Sequence, residues 1–217
     1  MPKRVGIDWI NNYHGRANDL KNRDNCARGF YNTIAAVKVY EFGDDSAWDT
    51  DFEQSGVGSP SSGSDVSYAD NVDLAYFAGH GYLYFGVTGH DNGSASPSEM
   101  RLGDHGCRYL VCDSCSALEG DAIARWRNTF TGLRAIFGFH NEAHDEGDRG
   151  EIFADYLNGG HYMDNAWKWA CQETESSDTE WGYLHVLAPT SSFNDKWNSS
   201  VTAIANPTAF CLHTGAC

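Results

Sequence analysis

A histidine and a cysteine that each follow a short apolar run are the residues of this chain best suited to covalent chemistry. His80 comes just after the apolar run that ends at Ala78, and Cys115 comes shortly after the run that ends at Cys112. A cysteine is an effective nucleophile when a nearby base or positive field makes its thiolate available, and histidine is the usual base. We therefore take Cys115 as the candidate nucleophile and His80 as the candidate base.

The elements that must position these two residues alternate between strands and helices. The sequence predicts strands at 4–10, 37–42, 72–78, 109–112, 133–139 and 181–187, a short aromatic segment at 82–87, and helices at 25–37, 118–130, 149–157 and 164–174. This alternation indicates an α/β fold, a three-layer α/β/α sandwich with a mostly parallel sheet, because parallel neighbours need crossover connections. Reactive groups in such sheets collect beyond the carboxyl ends of the strands, so we expect His80 and Cys115 to meet at one rim.

The length and composition indicate one folded domain with a strongly acidic surface. The chain has 217 residues, 41% of them hydrophobic, which suits a single domain over 1–217, and its apolar runs are too short to span a membrane. Thirty acidic against 15 basic side chains give a net charge of -15, which disfavours nucleic acid and anionic membranes as partners. A cationic substrate is one explanation of this charge, and solubility is the other.

The first residues of the chain bear on its location. Two basic residues follow Met1 and Pro2, with no apolar stretch behind them long enough for a signal peptide. We therefore expect a cytoplasmic protein, and secretion stays open if a leader has been removed. The sequence does not indicate an oligomeric state.

The two motifs together resemble a known family, the caspase-like (clan CD) cysteine peptidases, which include metacaspases, gingipains, clostripain, separase and the CHAT domains. An apolar strand that ends in His80-Gly81, followed by one that ends in Asp113-Ser114-Cys115, is similar to the metacaspase pattern. Three later segments resemble the strand and paired helices that follow the nucleophile in CHAT and gingipain-like domains: 132–139, 153–157 and 165–170. The resemblance covers about residues 70–175 and implies a caspase-like sheet.

The resemblance also implies a mechanism based on a catalytic dyad. Cys115 would attack the carbonyl carbon of an amide, His80 would transfer the proton of the leaving group, and water would resolve the acyl-enzyme. The backbone N–H groups of Gly81 and Cys115 would form the oxyanion hole, where a glycine lets the main chain approach the substrate. A helix that starts just after Cys115 would turn its positive end toward the thiolate.

Substrate specificity is expected to depend on Asp113. In relatives that cut after arginine or lysine, the acid two positions before the nucleophile lies in the S1 pocket, so the resemblance implies a basic residue before the scissile bond (P1). The partner would then be a peptide or protein that is cationic at P1. The alternative is that Asp113 caps the helix that follows. His140 and Asn141 line the cleft or are surface loop residues, and Trp181 walls the pocket or packs in the core.

Metal ions and disulfides are treated as secondary possibilities. The acidic stretches 44–53 and 142–148 do not fit an EF-hand loop, and no compact histidine motif is present, so we predict no catalytic metal and no cofactor. Calcium dependence occurs among metacaspase-like relatives and stays open. Seven cysteines allow three disulfides and one reactive thiol, for instance with a local Cys211–Cys217 bridge, or seven reduced thiols.

Three classes of function are consistent with these residues. The first is a cysteine endopeptidase that cuts after a basic residue. The second uses the same dyad for acyl transfer, peptide cyclisation or another non-peptidase reaction, because fold and dyad do not determine the acyl acceptor. The third is a non-catalytic binding module on the same fold.

Overall fold

The computed structural model describes residues 2–15, 17–58, 62–82, 93–187 and 193–217. The strands are β1 (Arg4–Trp9), β2 (Val37–Gly43), β3 (Leu74–Ala78), β4 (Tyr109–Asp113), β5 (Ala135–Phe139), β6 (Glu180–Val186) and β7 (Phe210–Ala216). The α-helices are α1 (Arg23–Thr33), α2 (Ala122–Trp126), α3 (Arg149–Asn158) and α4 (Met163–Thr174). Short 3-10 helices lie at Asp44–Ser46, Asp49–Asp51, Asp65–Ser67, Ala69–Asn71 and Arg127–Thr129. Apart from Tyr82, the predicted aromatic segment 82–87 lies outside these residues.

The described strands form one mixed sheet in the order β2-β1-β3-β4-β5-β6-β7. β1 to β5 are parallel, whereas β6 runs antiparallel to β5 and β7 antiparallel to β6. Between β5 and β6 the chain forms two helices that pack on each other, with the rings of Phe153 and Trp167 5.5 Å apart. This helix pair returns the chain to the edge at which β5 ends, where Trp181 lies opposite Phe139. The next strand, β6, therefore runs in the opposite direction to β5. The α/β class predicted from the sequence is confirmed.

The central strands β3, β4 and β5 are buried over their whole length. Strands covered on both faces have continuous apolar sequences, which is why these three are easy to recognise. On one face, Phe30 of α1, Phe153 of α3 and Trp167 of α4 pack over Tyr76 and Phe137. This face carries the three longest helices.

The opposite face of the sheet is covered by shorter elements. Trp126 of α2 and Phe52, which follows a 3-10 helix, pack with Leu110 and Ile136 of the sheet. The predicted helix 118–130 is therefore wrong in length, since only Ala122–Trp126 is α-helical. Gly120 adopts a φ of 61°, in the left-handed region that glycine favours, and this interrupts the helical path before α2.

Two properties of the described residues bear on the expectations above. All seven cysteines lie within them and each is a free thiol, so the Cys211–Cys217 disulfide is not formed. Every helix in these residues is too short or too polar to cross a bilayer.

Candidate active site

The ends of β3 and β4 bring His80 and Cys115 to one pocket. Ala78 and Asp113 are partners in the register of the two strands, so the chain positions two residues further on extend past the same sheet edge. A pocket of about 80 Å³ lies there. It is lined by Leu20, Arg23, Gly79, His80, Ser114, Cys115, Ala143, His144 and Asp145. A larger pocket of about 350 Å³ lies at the opposite edge, around Lys3 and Arg108, and no cysteine lines it.

Cys115 is half-buried, and its sulfur contacts the main chain of the segment after β5. The N–H of Ala143 points at Cys115 Sγ over 3.4 Å, and Ala143 O lies 3.5 Å from the same sulfur. The sulfur therefore has one main-chain donor and one main-chain acceptor, both from Ala143, beside it. The next residue, Ser116, has a φ of 55°, uncommon for a non-glycine residue, and donates its N–H to Asn141 O over 2.8 Å. A sharp turn held by the 141–143 segment therefore presents the sulfur.

His80 is oriented by two residues from the segment after β1. Its Nε2 lies 2.7 Å from the carbonyl oxygen of Asn18, which can only accept, so Nε2 carries a proton and Nδ1 is left to exchange one. The backbone N–H of His80 donates to Tyr13 Oη over 2.6 Å, and the two rings lie 4.6 Å apart. The sequence analysis missed Tyr13 and Asn18, because nothing local marks a tyrosine or a main-chain carbonyl more than 60 positions from its partner.

Gly81 packs directly on the main chain around the nucleophile. A Cβ at this position would lie 2.6 Å from Ser114 Oγ and 2.8 Å from Cys115 O, closer than real Cβ atoms approach. Only glycine fits at this position, because the main chain of residue 81 lies against Ser114 and Cys115. A close main-chain approach is also what the predicted oxyanion role of Gly81 needs. The helix expected just after Cys115 is absent, since α2 begins seven positions later at Ala122.

Asp113 does not face the pocket, which corrects the expectation that it binds a basic P1 residue. Its side chain is fully buried and accepts hydrogen bonds from Arg149 Nη1 (2.5 Å), Arg23 Nη1 (3.1 Å), Tyr76 Oη (2.8 Å) and Cys26 Sγ (2.9 Å). Burial alone would raise the pKa of this carboxyl, but the two arginines outweigh it and the pKa is lowered. Both oxygens are occupied, so neither is left for a substrate cation.

The alternative role of Asp113, as a helix cap, is not seen either. The N-terminus of α2 is capped by Asp121, whose carboxylate accepts from the N–H of Ala124 over 3.1 Å. Asp113 instead belongs to a buried charge network that we define by Arg23, Asp113, Arg149 and Glu175.

This buried charge network holds the segment that contacts the nucleophile. Arg23 donates to Asp145 Oδ1 over 2.7 Å and to the carbonyl oxygens of His144 and Glu146 over 3.1 and 3.0 Å. At the other end, Arg149 pairs with Glu175, whose carboxylate also bonds His144. Both ends of the network therefore fix residues 144–146, next to the Ala143 N–H at the Cys115 sulfur.

His144 is a second histidine at the pocket. Its Nδ1 lies 2.7 Å from Glu175 Oε2, and this hydrogen bond raises the pKa of the exposed imidazole. Within the acidic stretch 142–148, Asp145 pairs with Arg23 of the buried charge network. In the described residues, the groups of three close metal-ligating side chains lie outside both acidic stretches considered for calcium.

Of the three remaining predicted site residues, one lines a pocket beside Cys115 and two do not. Asn141 lines a second pocket of about 360 Å³, which shares Ala143 and His144 with the first. His140 pairs with Glu180 over 3.0 Å and lines neither pocket. Trp181 of β6 is half-buried, donates from Nε1 to Ala216 O over 3.0 Å and also lines neither. The structure therefore brings Asn141, but not His140 or Trp181, to the cleft beside Cys115.

Fold and site together define an α/β protein with a cysteine and a histidine at one strand-end pocket. A family model described as a domain of unknown function, DUF6345, matches residues 7–213, and the chain belongs to this family. The matched span includes β3, β4 and every residue that lines the pocket. No curated protein matches the chain.

Proposed function

We propose that this protein is a cysteine hydrolase of the caspase-like kind, a peptidase that cleaves amide bonds through an acyl-enzyme on Cys115. The observation that carries the proposal is that Cys115 and His80 line the same small pocket. The motif resemblance supports the peptidase class, and the half-buried Cys115 sulfur is held by main-chain contacts with Ala143.

The proposed reaction uses both side chains in turn. The Cys115 thiolate attacks the carbonyl carbon, and the developing oxyanion is stabilised by main-chain N–H groups around Gly81 and Cys115. His80, protonated at both nitrogens, gives its Nδ1 proton to the leaving amine while Nε2 stays bonded to Asn18 O. Water then loses a proton to Nδ1 and attacks the thioester, the C–S bond breaks to release the acid, and the Cys115 thiolate and the doubly protonated His80 are restored.

The proposal does not assign substrate selectivity to Asp113. The carboxylate that lines the pocket among the described residues is Asp145, and its oxygens accept from Arg23 and from the N–H of Lys21. Leu20, Gly79 and Ala143 give the pocket small or apolar walls, and Arg23, Ser114 and His144 give it polar ones. The net charge of -15 still favours a substrate that is cationic elsewhere along its chain.

The test is a panel of fluorogenic peptides with arginine, lysine, asparagine, aspartate or alanine at P1, each with and without calcium. We expect the wild type to cleave at least one, Cys115→Ala to abolish cleavage, and His80→Ala to reduce kcat about 10²- to 10⁴-fold. Cys217→Ser, which changes another half-buried thiol, is the matched control and should leave kcat unchanged. Cleavage that persists in Cys115→Ala would contradict the proposal.

Acyl transfer is the second candidate, and the adjoining 360 Å³ pocket favours it because a second substrate could bind there beside the acyl-enzyme. The two reactions separate by product. Adding an amine nucleophile to a cleaved peptide substrate gives an amide product in a transferase and free acid in a hydrolase, which mass spectrometry distinguishes. Turnover of any peptide that depends on Cys115 excludes the third class, a non-catalytic binding module.

A further inference from the structure

The antiparallel pair β6 and β7 places three metal-binding side chains on one face, away from the pocket of Cys115. In the strand register His185 lies opposite Cys211, and Tyr183 lies opposite His213. Residues two apart in a strand point to the same face, so His185, Cys211 and His213 are neighbours. None of the three lines either pocket beside Cys115.

The ligand atoms of these side chains are already close together. One ligating atom from each lies within 4.8 Å of the other two, and Cys211 Sγ lies 3.2 Å from His213 Nε2. Two ligands on a tetrahedral zinc ion, with bonds of about 2.0–2.3 Å, are separated by roughly 3.5 Å. The cysteine and His213 therefore have nearly the spacing of bound ligands, and a small movement of His185 completes the set.

His185 is held in the form that a metal requires. Its Nδ1 lies 3.0 Å from the carbonyl oxygen of Val186, so Nδ1 carries the proton and Nε2 keeps its lone pair. The ring is 2% exposed and lies between His213 and Phe193, with centroid distances of 5.3 and 5.2 Å. A carbonyl bonded to the distal nitrogen is the usual support of a metal-ligating histidine.

We propose that His185, Cys211 and His213 bind one Zn²⁺ ion, with the fourth position open to water. One thiolate and two imidazoles are ligands typical of zinc. On binding, the Cys211 thiol loses its proton to solvent and the sulfur forms the metal bond. Cys211 is half-buried and His213 exposed, so the ion can enter from solvent. The bound ion would cross-link the side chains of the paired strands β6 and β7.

The test is calorimetric titration of metal-free protein with Zn²⁺, together with Co²⁺ as an optical probe. We expect one equivalent of Zn²⁺ to bind, and Cys211→Ser and His213→Ala to weaken binding at least about 100-fold. The thiolate-to-Co²⁺ charge-transfer band should be absent in Cys211→Ser. Zn²⁺ should also raise the melting temperature of the wild type but not of these variants.

Three further variants distinguish this site from other places where zinc could bind. Cys115→Ser and His80→Ala remove the pocket ligands, and His105→Ala removes one of the group Asp70, Asp104 and His105. All three should bind Zn²⁺ as the wild type does. The proposal is overturned if no equivalent of Zn²⁺ binds, if folded His213→Ala binds Zn²⁺ as tightly as the wild type, or if binding is lost in Cys115→Ser instead.

Discussion

The close approach of Gly81 to the nucleophile makes this position sensitive to a single methyl group. In Gly81→Ala the new Cβ would lie under 3 Å from Ser114 and from the Cys115 carbonyl, so the strand ends must separate. We expect kcat/KM on the best peptide to fall more than about 10-fold and stability to fall by about 1–3 kcal/mol. Gly147→Ala is the control, since its Cβ meets an ordinary contact at 3.4 Å. Equal activities of the two variants, measured on the same peptide, would contradict the placement of Gly81.

The sequence predicts the position of a single residue well where the strand order and direction alone determine that position. His80 and Cys115 were predicted to meet because parallel strands end at one edge, and they line one pocket. The partners of Asp113 could not be predicted, because Arg23 and Arg149 are 90 and 36 positions away and carry no local pattern. Pairing of buried charges depends on three-dimensional packing rather than on spacing in the chain.

At the scale of elements, the buried charge network joins β4 to α1 and α3 and sets the position of the 143–146 segment. Asp113→Asn would remove the carboxylate that Arg23 and Arg149 share and leave them with Asp145 and Glu175, so we expect a loss of about 3 kcal/mol in the free energy of unfolding. Asp121→Asn, an exposed helix cap that asparagine also fills well, should change it little. Urea denaturation measures both.

The same variant separates the network from a specificity pocket. If Asp113 only supports the 143–146 segment, Asp113→Asn lowers activity on peptides with neutral and basic P1 residues by the same factor. A loss confined to peptides with arginine or lysine at P1 would restore Asp113 to the S1 pocket.

Elements with a strong apolar pattern were predicted well, and mixed ones were not. The strands β3, β4 and β5 are buried throughout and were recognised from their sequence. β7 was missed because none of its residues is fully buried and small polar residues interrupt its pattern. The antiparallel direction of β6 was also missed, since it depends on how two helices pack rather than on any one segment.

At the scale of the whole molecule, buried carboxyl groups make stability depend on pH. Burial raises the pKa of Asp65 to about 7 and of Asp51 and Asp70 to about 6, and raises that of Asp8 well above its usual value. Between about pH 4 and 7 the folded state keeps protons that the unfolded chain has lost, so stability falls as pH rises. Asp113 acts oppositely, because its lowered pKa stabilises the fold above pH 4 and this contribution is lost in stronger acid.

We therefore expect the melting temperature to be higher near pH 5 than at pH 7.5. Asp65→Asn should remove about 2–3 kcal/mol of the decline in the free energy of unfolding over this range, because the amide cannot ionise. Asp155→Asn, on the exposed side of α3, is the control and should follow the wild-type curve. A pH profile of Asp65→Asn as steep as that of the wild type would show that another group is responsible.

The buried charge network also determines how late in folding the pocket around Cys115 is completed. Arg23 reaches Asp113 across 90 positions and Asp145 across 122, so its bonds form only after most of the sheet has assembled. Until then these bonds do not hold the 144–146 segment, and with it the Ala143 N–H, against the Cys115 sulfur. Under the proposed function, a nascent or partly folded chain therefore does not yet hold the complete pocket.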